Sequence, residues 1–159
     1  MSESLVRRYF DALARLDGDA MAACMHPMAS YSDPMFPDLR GDEVGWRWRM
    51  LTSGATDMHL AYDIVFGDER KAQVKWQAQY RFVSSGRSVS NEVTSTLAFW
   101  DEKIVRQVDE YDFLRWSRSS LGAAGGLLAQ LPPLRRAAQR RARQQLQGFI
   151  DNVTLREPK

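Results

Sequence analysis

Four runs of alternating apolar and polar residues follow one another in the second half of the chain, and this pattern constrains the fold most. The runs are 59–66, 71–83, 88–100 and 103–111. A period of two residues is that of a β-strand with one buried face and one wet face. The short turns between the runs, such as Gly67-Asp68, favour hairpins between successive strands. The sequence therefore predicts a curved antiparallel meander of four strands.

Helical spacing of apolar residues dominates the chain before this meander. It predicts a first amphipathic helix that ends near Gly18, a short second helix over 20–25 that His26-Pro27 stops, and a third helix capped by Asp42. A brief strand over 29–34 is expected between the second and third helices. Three helices followed by a curved antiparallel sheet place the chain in the α+β class.

The C-terminal part of the chain is basic and helical in pattern. From Phe113 to Ile150 there are seven arginines and no acidic residue, and removing these seven positive charges from the net +2 leaves the rest of the chain at −5. The run AAGG predicts a flexible joint, and Pro132 begins another helix. We interpret the arginines as a solvated helix face; no nucleic-acid partner is expected, because the stretch lacks interleaved aromatic residues. The helix could cover the open end of the sheet or dock on a second subunit.

The cysteine and histidine content and the apolar runs limit which metal sites, disulfides and cellular compartments are expected. Cys24 is the only cysteine, which excludes a disulfide framework and a cysteine zinc cluster. His26 and His59 have no second histidine or cysteine at ligand spacing, so no metal site is expected. The N-terminus lacks the apolar core of a secretory signal, and the apolar run 121–131 is too short to span a bilayer. We expect a cytoplasmic protein without stable membrane insertion.

Polar residues interrupt the inward rows of the last two strands. Gln107 and Asp109 share a face of the last strand with Val105 and Tyr111, and Asn91 lies in an apolar row of the strand before it. An isolated buried charge costs several kcal/mol or more, so such a carboxylate must be paired, neutral or facing a wet cavity. We favour a cavity, where partial desolvation raises the pKa of Asp109 and suits it to general acid or base chemistry. The equally weighted alternative is a buried aspartate that anchors a turn or an arginine.

Other residues are weaker candidates, each with a structural alternative. Asp112 directly precedes a helix, where aspartate is a preferred N-cap. Asp33 and Tyr31 alternate on the first strand and can face the pocket mouth, although an Asp-Pro turn explains Asp33 almost as well. Asn91 can donate to a carbonyl or enolate oxygen, or it can satisfy a neighbouring strand. The pocket walls are predicted from aromatic side chains that plain core packing would equally explain: Trp48, Trp76, Tyr80 and Phe99.

Three phrases carry a family resemblance: HPMASYSDPMFPDLRGD, VKWQAQYRF with a following Asn, and IVRQVDEYDFLRWSRSSLG. They resemble the SnoaL-like branch of the nuclear transport factor 2-like, or ketosteroid isomerase-like, superfamily. The resemblance implies a cone-shaped curved antiparallel sheet wrapped around three N-terminal helices over 1–121, with 122–159 as a basic helical C-terminal extension. The superfamily includes isomerases, cyclases, epoxide hydrolases and members without a known reaction, so the fold alone does not assign an activity.

The resemblance implies a cofactor-free enzyme that uses a pocket aspartate for proton transfer on a small hydrophobic molecule with a carbonyl or an epoxide. Asp112 stands where polyketide cyclases of the SnoaL type place their acid or base, and Gln107 stands near the histidine of some relatives. The Asp/Arg/Asp set of limonene-epoxide hydrolases would draw on Asp33, Asp109 and either Arg49 or Arg106.

Two other classes of function remain open. The chain could bind a hydrophobic small molecule without transforming it, or it could be an interaction module that uses the arginine-rich tail. Members of this fold commonly pair through the convex side of the sheet. The resemblance therefore implies a homodimer, whose contact would be polar here because of the row Gln73, Lys75, Gln77, Gln79 and Arg81.

Overall fold

A computed structural model describes residues 2–157 and arranges the alternating runs as neighbours in a six-stranded sheet. The elements in chain order are α1 (Ser2–Ala14), α2 (Gly18–Ala23), β1 (Met25–Ser32), β2 (Leu39–Arg40), α3 (Asp42–Ser53), β3 (Ala55–Gly67), β4 (Lys71–Phe82), β5 (Ser88–Trp100), β6 (Lys103–Glu110), α4 (Phe113–Leu121), α5 (Ala123–Gln130) and α6 (Pro132–Arg156). The predicted α+β class, with a curved sheet that does not close and a C-terminal helical extension, is confirmed.

The strand order is β2-β1-β6-β5-β4-β3. The meander from β3 to β6 is antiparallel throughout, and its register places Asp109 of β6 opposite Ser95 of β5. At the other edge β1 runs parallel to β6, with Tyr31 opposite Gln107. Periodicity could not predict this pairing, because the two strands are far apart in the chain. The result is that Tyr31, Ser95 and Asp109 come from three adjacent strands.

The concave face of the sheet packs on the N-terminal helices. The inner row of β4 is buried and its outer row is largely exposed, which confirms the alternation predicted for this strand. Phe10 of α1 packs on Trp76 with ring centroids 5.8 Å apart, and Tyr9 packs edge-on against Trp48 of α3 at 5.9 Å. These rings form the floor of the space between sheet and helices.

The strand β1 begins earlier than predicted and includes His26 and Pro27, which were expected to end the second helix. That helix, α2, instead runs from Gly18 to Ala23. The pairing of β1 with β6 is irregular between Met25 and Ser30. Proline has no N–H to donate to a ladder, so the irregular stretch accommodates Pro27 without losing a regular hydrogen bond.

The prediction of a flexible joint at AAGG was wrong, because these residues begin helix α5. A Cβ atom on Gly125 would lie 2.1 Å from the Ser117 carbonyl oxygen. The glycine therefore permits a close approach of α5 to α4, which any side chain would prevent.

A β-bulge changes which residues face inward near the turn between β5 and β6. The register shifts between Ala98 and Phe99. As a result Ile104 is fully buried and Val105 is only partly buried, so the predicted inward position of Val105 was wrong. A bulge adds one unpaired residue and so reverses the alternation beyond it.

Helix α6 covers the open end of the sheet, one of the two arrangements that its sequence left open. Leu146 is its buried anchor, and Gln139 donates a hydrogen bond to the Pro34 carbonyl oxygen at 2.9 Å. Arg143 donates to the Asp38 carbonyl oxygen and pairs with Glu43 at 2.9 Å. The basic helix is therefore fixed to the loop after β1 and to the start of α3.

Candidate active site

A cavity of about 720 Å³ lies between the concave face of the sheet and helices α3 to α6. Of the residues proposed from the sequence for catalysis or substrate binding, six line it: Tyr31, Trp48, Trp76, Tyr80, Asn91 and Asp109. Apolar side chains from every surrounding helix complete the wall, among them Leu13, Met50, Leu51, Trp116 and Leu134. Such a space suits an apolar molecule of modest size with few polar groups.

Asp109 supplies the carboxylate of this cavity and is only 3% exposed. Its Oδ1 accepts hydrogen bonds from the Ser95 hydroxyl and from Gln107 Nε2, the latter at 2.9 Å. Its Oδ2 lies 2.9 Å from the Tyr31 hydroxyl. We call the connected set of Tyr9, Tyr31, Asp33, Arg47, Trp76, Ser95, Gln107 and Asp109 the Asp109 network.

Two of the donors to Asp109 are oriented by a donor behind them. The Trp76 indole N–H donates to Ser95 Oγ at 2.8 Å, so the Ser95 proton points to Asp109. The Tyr9 hydroxyl donates to Gln107 Oε1 at 2.8 Å, so the Gln107 amide presents its N–H₂ side to Asp109. Both chains end at the carboxylate, which holds it in one orientation.

The Tyr31 hydroxyl lies between two carboxylates, 2.7 Å from Asp33 Oδ2 and 2.9 Å from Asp109 Oδ2. A phenol carries one proton and can donate to only one of them. Burial raises the pKa of Tyr31 well above its usual value, so the hydroxyl keeps its proton at neutral pH. Both contacts are hydrogen bonds at once only when one of the two carboxyl groups also carries a proton and donates it to the Tyr31 oxygen.

Asp33 is held as the charged partner in this arrangement. Its Oδ1 accepts from the backbone N–H groups of Met35 and Phe36, at 2.8 and 2.6 Å, and its Oδ2 pairs with Arg47 Nη2 at 3.1 Å. The Asp33 side chain is fully buried and that of Arg47 is 12% exposed. The Arg47 guanidinium also lies over the Trp48 ring, 4.1 Å from its centroid. Asp33 therefore closes a turn, as its alternative interpretation predicted, and also belongs to the Asp109 network.

The environment shifts the protonation equilibrium of Asp109 towards neutral pH. Burial raises the pKa of Asp109 from 3.8 to about 6, against the hydrogen bonds from Ser95 and Gln107, which lower it. The nearby charge of Asp33 adds to the upward shift and that of Arg47 opposes it. A carboxyl group with a pKa near 6 is present in both protonation states under physiological conditions, as a general acid or base requires.

The structure does not bring every predicted site residue to the cavity. Asp112 is exposed and accepts a hydrogen bond from the Arg115 N–H as the N-cap of α4. Phe99 lies beyond the bulge, whose extra residue is Val105 of β6, and is absent from the cavity wall. Gln107 is buried behind Asp109 and touches the carboxylate instead of the cavity. Asp109 and Asp112 are three residues apart in the sequence, but only Asp109 lies in the cavity wall.

Sequence reasoning missed Arg47, Ser95 and Tyr9 as parts of the site. The arginines proposed instead lie elsewhere, since Arg49 pairs with the exposed Asp19 and Arg106 is on the outer face of β6. The sequence does contain an indication of Arg47. This residue lies three positions after Val44, within the apolar stripe of α3 that also contains Trp48 and Leu51. An arginine in such a stripe must find a buried partner.

Among residues 2–157 no group of three or more histidine, cysteine, aspartate or glutamate side chains is placed to hold a metal ion. Within the same range no helix combines the length and the apolar character needed to cross a lipid bilayer.

Comparisons with known proteins give both a sequence match and structural matches. The profile of a family described as the SnoaL-like domain matches residues 6–107, ending two residues before Asp109. No curated protein matches the chain significantly in sequence.

Three solved structures illustrate the structural likeness. An LEH-like epoxide hydrolase from M. tuberculosis has a TM-score of 0.62 and 16% identity, over 79% of this chain and 91% of that one. TsrD from Streptomyces laurentii has a TM-score of 0.63 and 23% identity, over 74% and 92%. A protein from Catenulispora acidiphila with a ketosteroid isomerase-like fold, solved with trimethylamine, has a TM-score of 0.63 and 13% identity, over 81% and 97%. At these identities the likeness concerns the fold.

Proposed function

This chain belongs to the SnoaL-like domain family, and we propose that it is a cofactor-free enzyme in which Asp109 transfers a proton on a small hydrophobic substrate. The substrate carries a carbonyl or an epoxide oxygen, and the reaction is of the isomerase, cyclase or epoxide-hydrolase class. The proposal is supported by structural neighbours that share this fold, one described as an LEH-like epoxide hydrolase and one described as having a ketosteroid isomerase-like fold. The fold by itself selects none of these reactions.

The observation that carries the proposal is a carboxyl group with a pKa of about 6 at the wall of an apolar cavity. Above that pH Asp109 is a carboxylate that can take a proton from a carbon next to a carbonyl. Below it Asp109 can protonate an oxygen that develops negative charge. Proton transfer by a positioned side chain of matched pKa typically contributes about 10²–10⁴-fold to a rate.

Two other polar residues are suited to hold the substrate oxygen. Tyr111 lies in the same row as Asp109, two residues further along the chain, and lines the cavity. Burial raises the pKa of Tyr111, so its hydroxyl remains a donor at neutral pH. Asn91, on the neighbouring strand β5, also lines the cavity and offers an amide donor. A donor aimed at the substrate oxygen stabilises the charge that proton abstraction creates.

The test is turnover of a set of apolar β,γ-unsaturated ketones, β-keto esters and epoxides by three proteins. We expect Asp109→Asn to lower turnover of any accepted substrate by at least about 10²-fold relative to the wild type. Asp112→Asn is the matched control, because this exposed N-cap changes the same chemical group outside the cavity, and it should retain turnover within about twofold. Undiminished turnover by the Asp109→Asn variant would overturn the proposal.

A binding protein is the second candidate, and one observation favours it. Asp109 already receives hydrogen bonds from Ser95 and Gln107 and contacts Tyr31, and little of it is exposed. In a binding protein, a carboxylate satisfied in this way would fix the shape of the cavity and would not react. If an apolar ligand bound with equal affinity to the wild type and to Asp109→Asn, and no member of the substrate set reacted, this second candidate would replace the first.

The homodimer remains a prediction. The outer side of β4 presents an exposed polar row, with Lys75, Gln77, Gln79 and Arg81 directed away from the core. Sedimentation equilibrium of the full chain tests the dimer directly, and charge reversal at Lys75 tests the face.

A further inference from the structure

Helix α6 contributes one continuous face to the cavity described above. Its lining residues follow the spacing i, i+3, i+4, i+7, i+8 and i+11, as expected for one side of a helix: Leu134, Ala137, Ala138, Arg141, Ala142 and Gln145. Five of these six positions are apolar or uncharged. Arg141 is the exception, and it stands in the middle of the stripe.

The alanines around Arg141 leave space beside it. Ala137, Ala138 and Ala142 expose only a methyl group each, whereas the arginine side chain is long enough to reach over them. An arginine stem can cover apolar surface while its guanidinium stays in contact with water or with a polar ligand. Arg141 is exposed, so its guanidinium is available at the mouth of the cavity.

Arg141 differs from Arg47, the other cation of the cavity wall, in having no ion-pair partner in the described part of the chain. Asp109 and Arg47 are the remaining charged residues that line the cavity, and Arg47 pairs with Asp33 at 3.1 Å. Within residues 2–157 no ion pair involves Arg141. Its helix carries no acidic residue between Pro132 and Ile150, so no carboxylate of that stretch offsets the charge of Arg141.

The other arginines of the helix have assigned contacts or point elsewhere. Arg143 pairs with Glu43 and so fixes the helix to α3. The Arg135 guanidinium lies over the Phe113 ring, 4.4 Å from its centroid. Arg136, Arg140 and Arg156 are exposed and lie outside the cavity wall. Arg141 is therefore the arginine that α6 offers to a molecule entering the cavity.

We infer that Arg141 is an anion-recognition residue, and that the cavity takes an apolar molecule with a carboxylate at its outer end. The apolar body would lie along the aromatic and aliphatic walls, and the carboxylate would meet the guanidinium, which binds carboxylates through two parallel N–H donors. This inference rests on the proposed function for the identity of the cavity as the site, and it adds the substrate class.

Two probes with one body and different ends test this inference by fluorescence titration. They are 11-(dansylamino)undecanoic acid and its methyl ester, titrated into the full-length chain at low and moderate salt. We expect Arg141→Gln to bind the acid about fivefold more weakly than the wild type, an effect typical of a partly exposed ion pair. Binding of the ester should stay unchanged, and moderate salt should reduce the difference between the acid and the ester.

Arg140→Gln is the matched control, because it removes the same charge from the neighbouring position outside the wall. It should leave both affinities as in the wild type. Equal weakening of acid and ester by Arg141→Gln, no weakening of either, or an equal effect of Arg140→Gln would each overturn the inference. The Asp109→Asn variant keeps the two proposals apart, since it should lose turnover but retain the preference for the acid.

Discussion

The two sides of the cavity are built on different physical principles. On the strand side, each polar member of the Asp109 network is held by another, and Ser95, Gln107 and Asp109 are at most 3% exposed. On the helix side, α6 closes the cavity with alanines and keeps its charges near water, and Leu146 is the one buried side chain in the described part of the helix. The strand side can therefore set a pKa, whereas the helix side can select a ligand without disturbing that pKa.

We expect the largest loss of stability when the buried ion pair between Arg47 and Asp33 is broken. Arg47→Met removes the cation and leaves the fully buried Asp33 carboxylate without its partner. Breaking a buried pair on one side typically costs about 3–5 kcal/mol. We expect a loss of that order in the free energy of unfolding, measured by urea denaturation.

Arg49→Met is the control for this change, on the same helix and two residues away. Its partner Asp19 is 86% exposed, and exposed pairs contribute about 0–1 kcal/mol. If both variants lost the same stability, the strand side would not depend on its charged network as we describe.

A smaller effect is expected from the titration of Asp109. In the unfolded chain this carboxyl loses its proton near 3.8, and in the folded chain near 6. Between these values the folded state binds more protons, so its stability falls as the pH rises. Two pH units correspond to about 3 kcal/mol. Unfolding of the wild type, compared with Asp109→Asn at each pH, should show a decrease of this order between pH 4 and 6 and no further change above it.

The Asp109→Asn variant is a suitable reference because its amide fits the protonated form of the network. The amide oxygen can accept from Ser95 and Gln107, and the amide N–H₂ can donate to Tyr31, whose own proton then goes to Asp33. At pH 8 this variant should be at least as stable as the wild type. A variant that was strongly destabilised at pH 8 would contradict the assignment of the proton to Asp109.

The smallest effect distinguishes two fully buried serines. Ser95 links Trp76 to Asp109, whereas Ser117 Oγ has no hydrogen-bond partner in the described part of the chain. Ser95→Ala leaves the Trp76 N–H unsatisfied and should cost about 1–3 kcal/mol. It should also move the pH midpoint of activity upwards, because a hydrogen bond that lowers the pKa of Asp109 is lost.

Ser117→Ala removes a buried hydroxyl that makes no bond and should be neutral or slightly stabilising. Thermal unfolding of the two variants side by side gives the comparison. A loss of stability at Ser117 equal to that at Ser95 would show that the hydrogen bonds of the network contribute nothing beyond side-chain packing.

The sequence predicted the elements far better than it predicted their contacts. Alternation in β4 and the inward position of Asp109 follow from periodicity, because one strand contains the whole pattern. The bulge at Val105 and the packing of Gly125 depend on contacts between different elements, and no local pattern contains them. The period of a helix or strand is a property of one segment, whereas a bulge is a property of two paired strands.

The same distinction applies to the site. The six predicted residues that line the cavity were found because aromatic or polar side chains interrupt or fill inward rows. Arg47 was missed because its partner Asp33 lies 14 positions away and the turn between them is irregular. Ser95 interrupts the apolar row of β5, but only the register of β5 with β6 places it on Asp109.

The direction of the hydrogen bonds behind Asp109 limits the groups to which a proton on Asp109 can be transferred. Indole and amide nitrogens keep their hydrogens at neutral pH, so the chains through Trp76 and Gln107 are closed routes. In the proposed reaction, a proton that Asp109 takes from a bound substrate can leave only into the cavity or by way of Tyr31. If the bound substrate excludes water, we expect the proton to return to the same molecule at another position, so that an isotope label would migrate within the product instead of washing out.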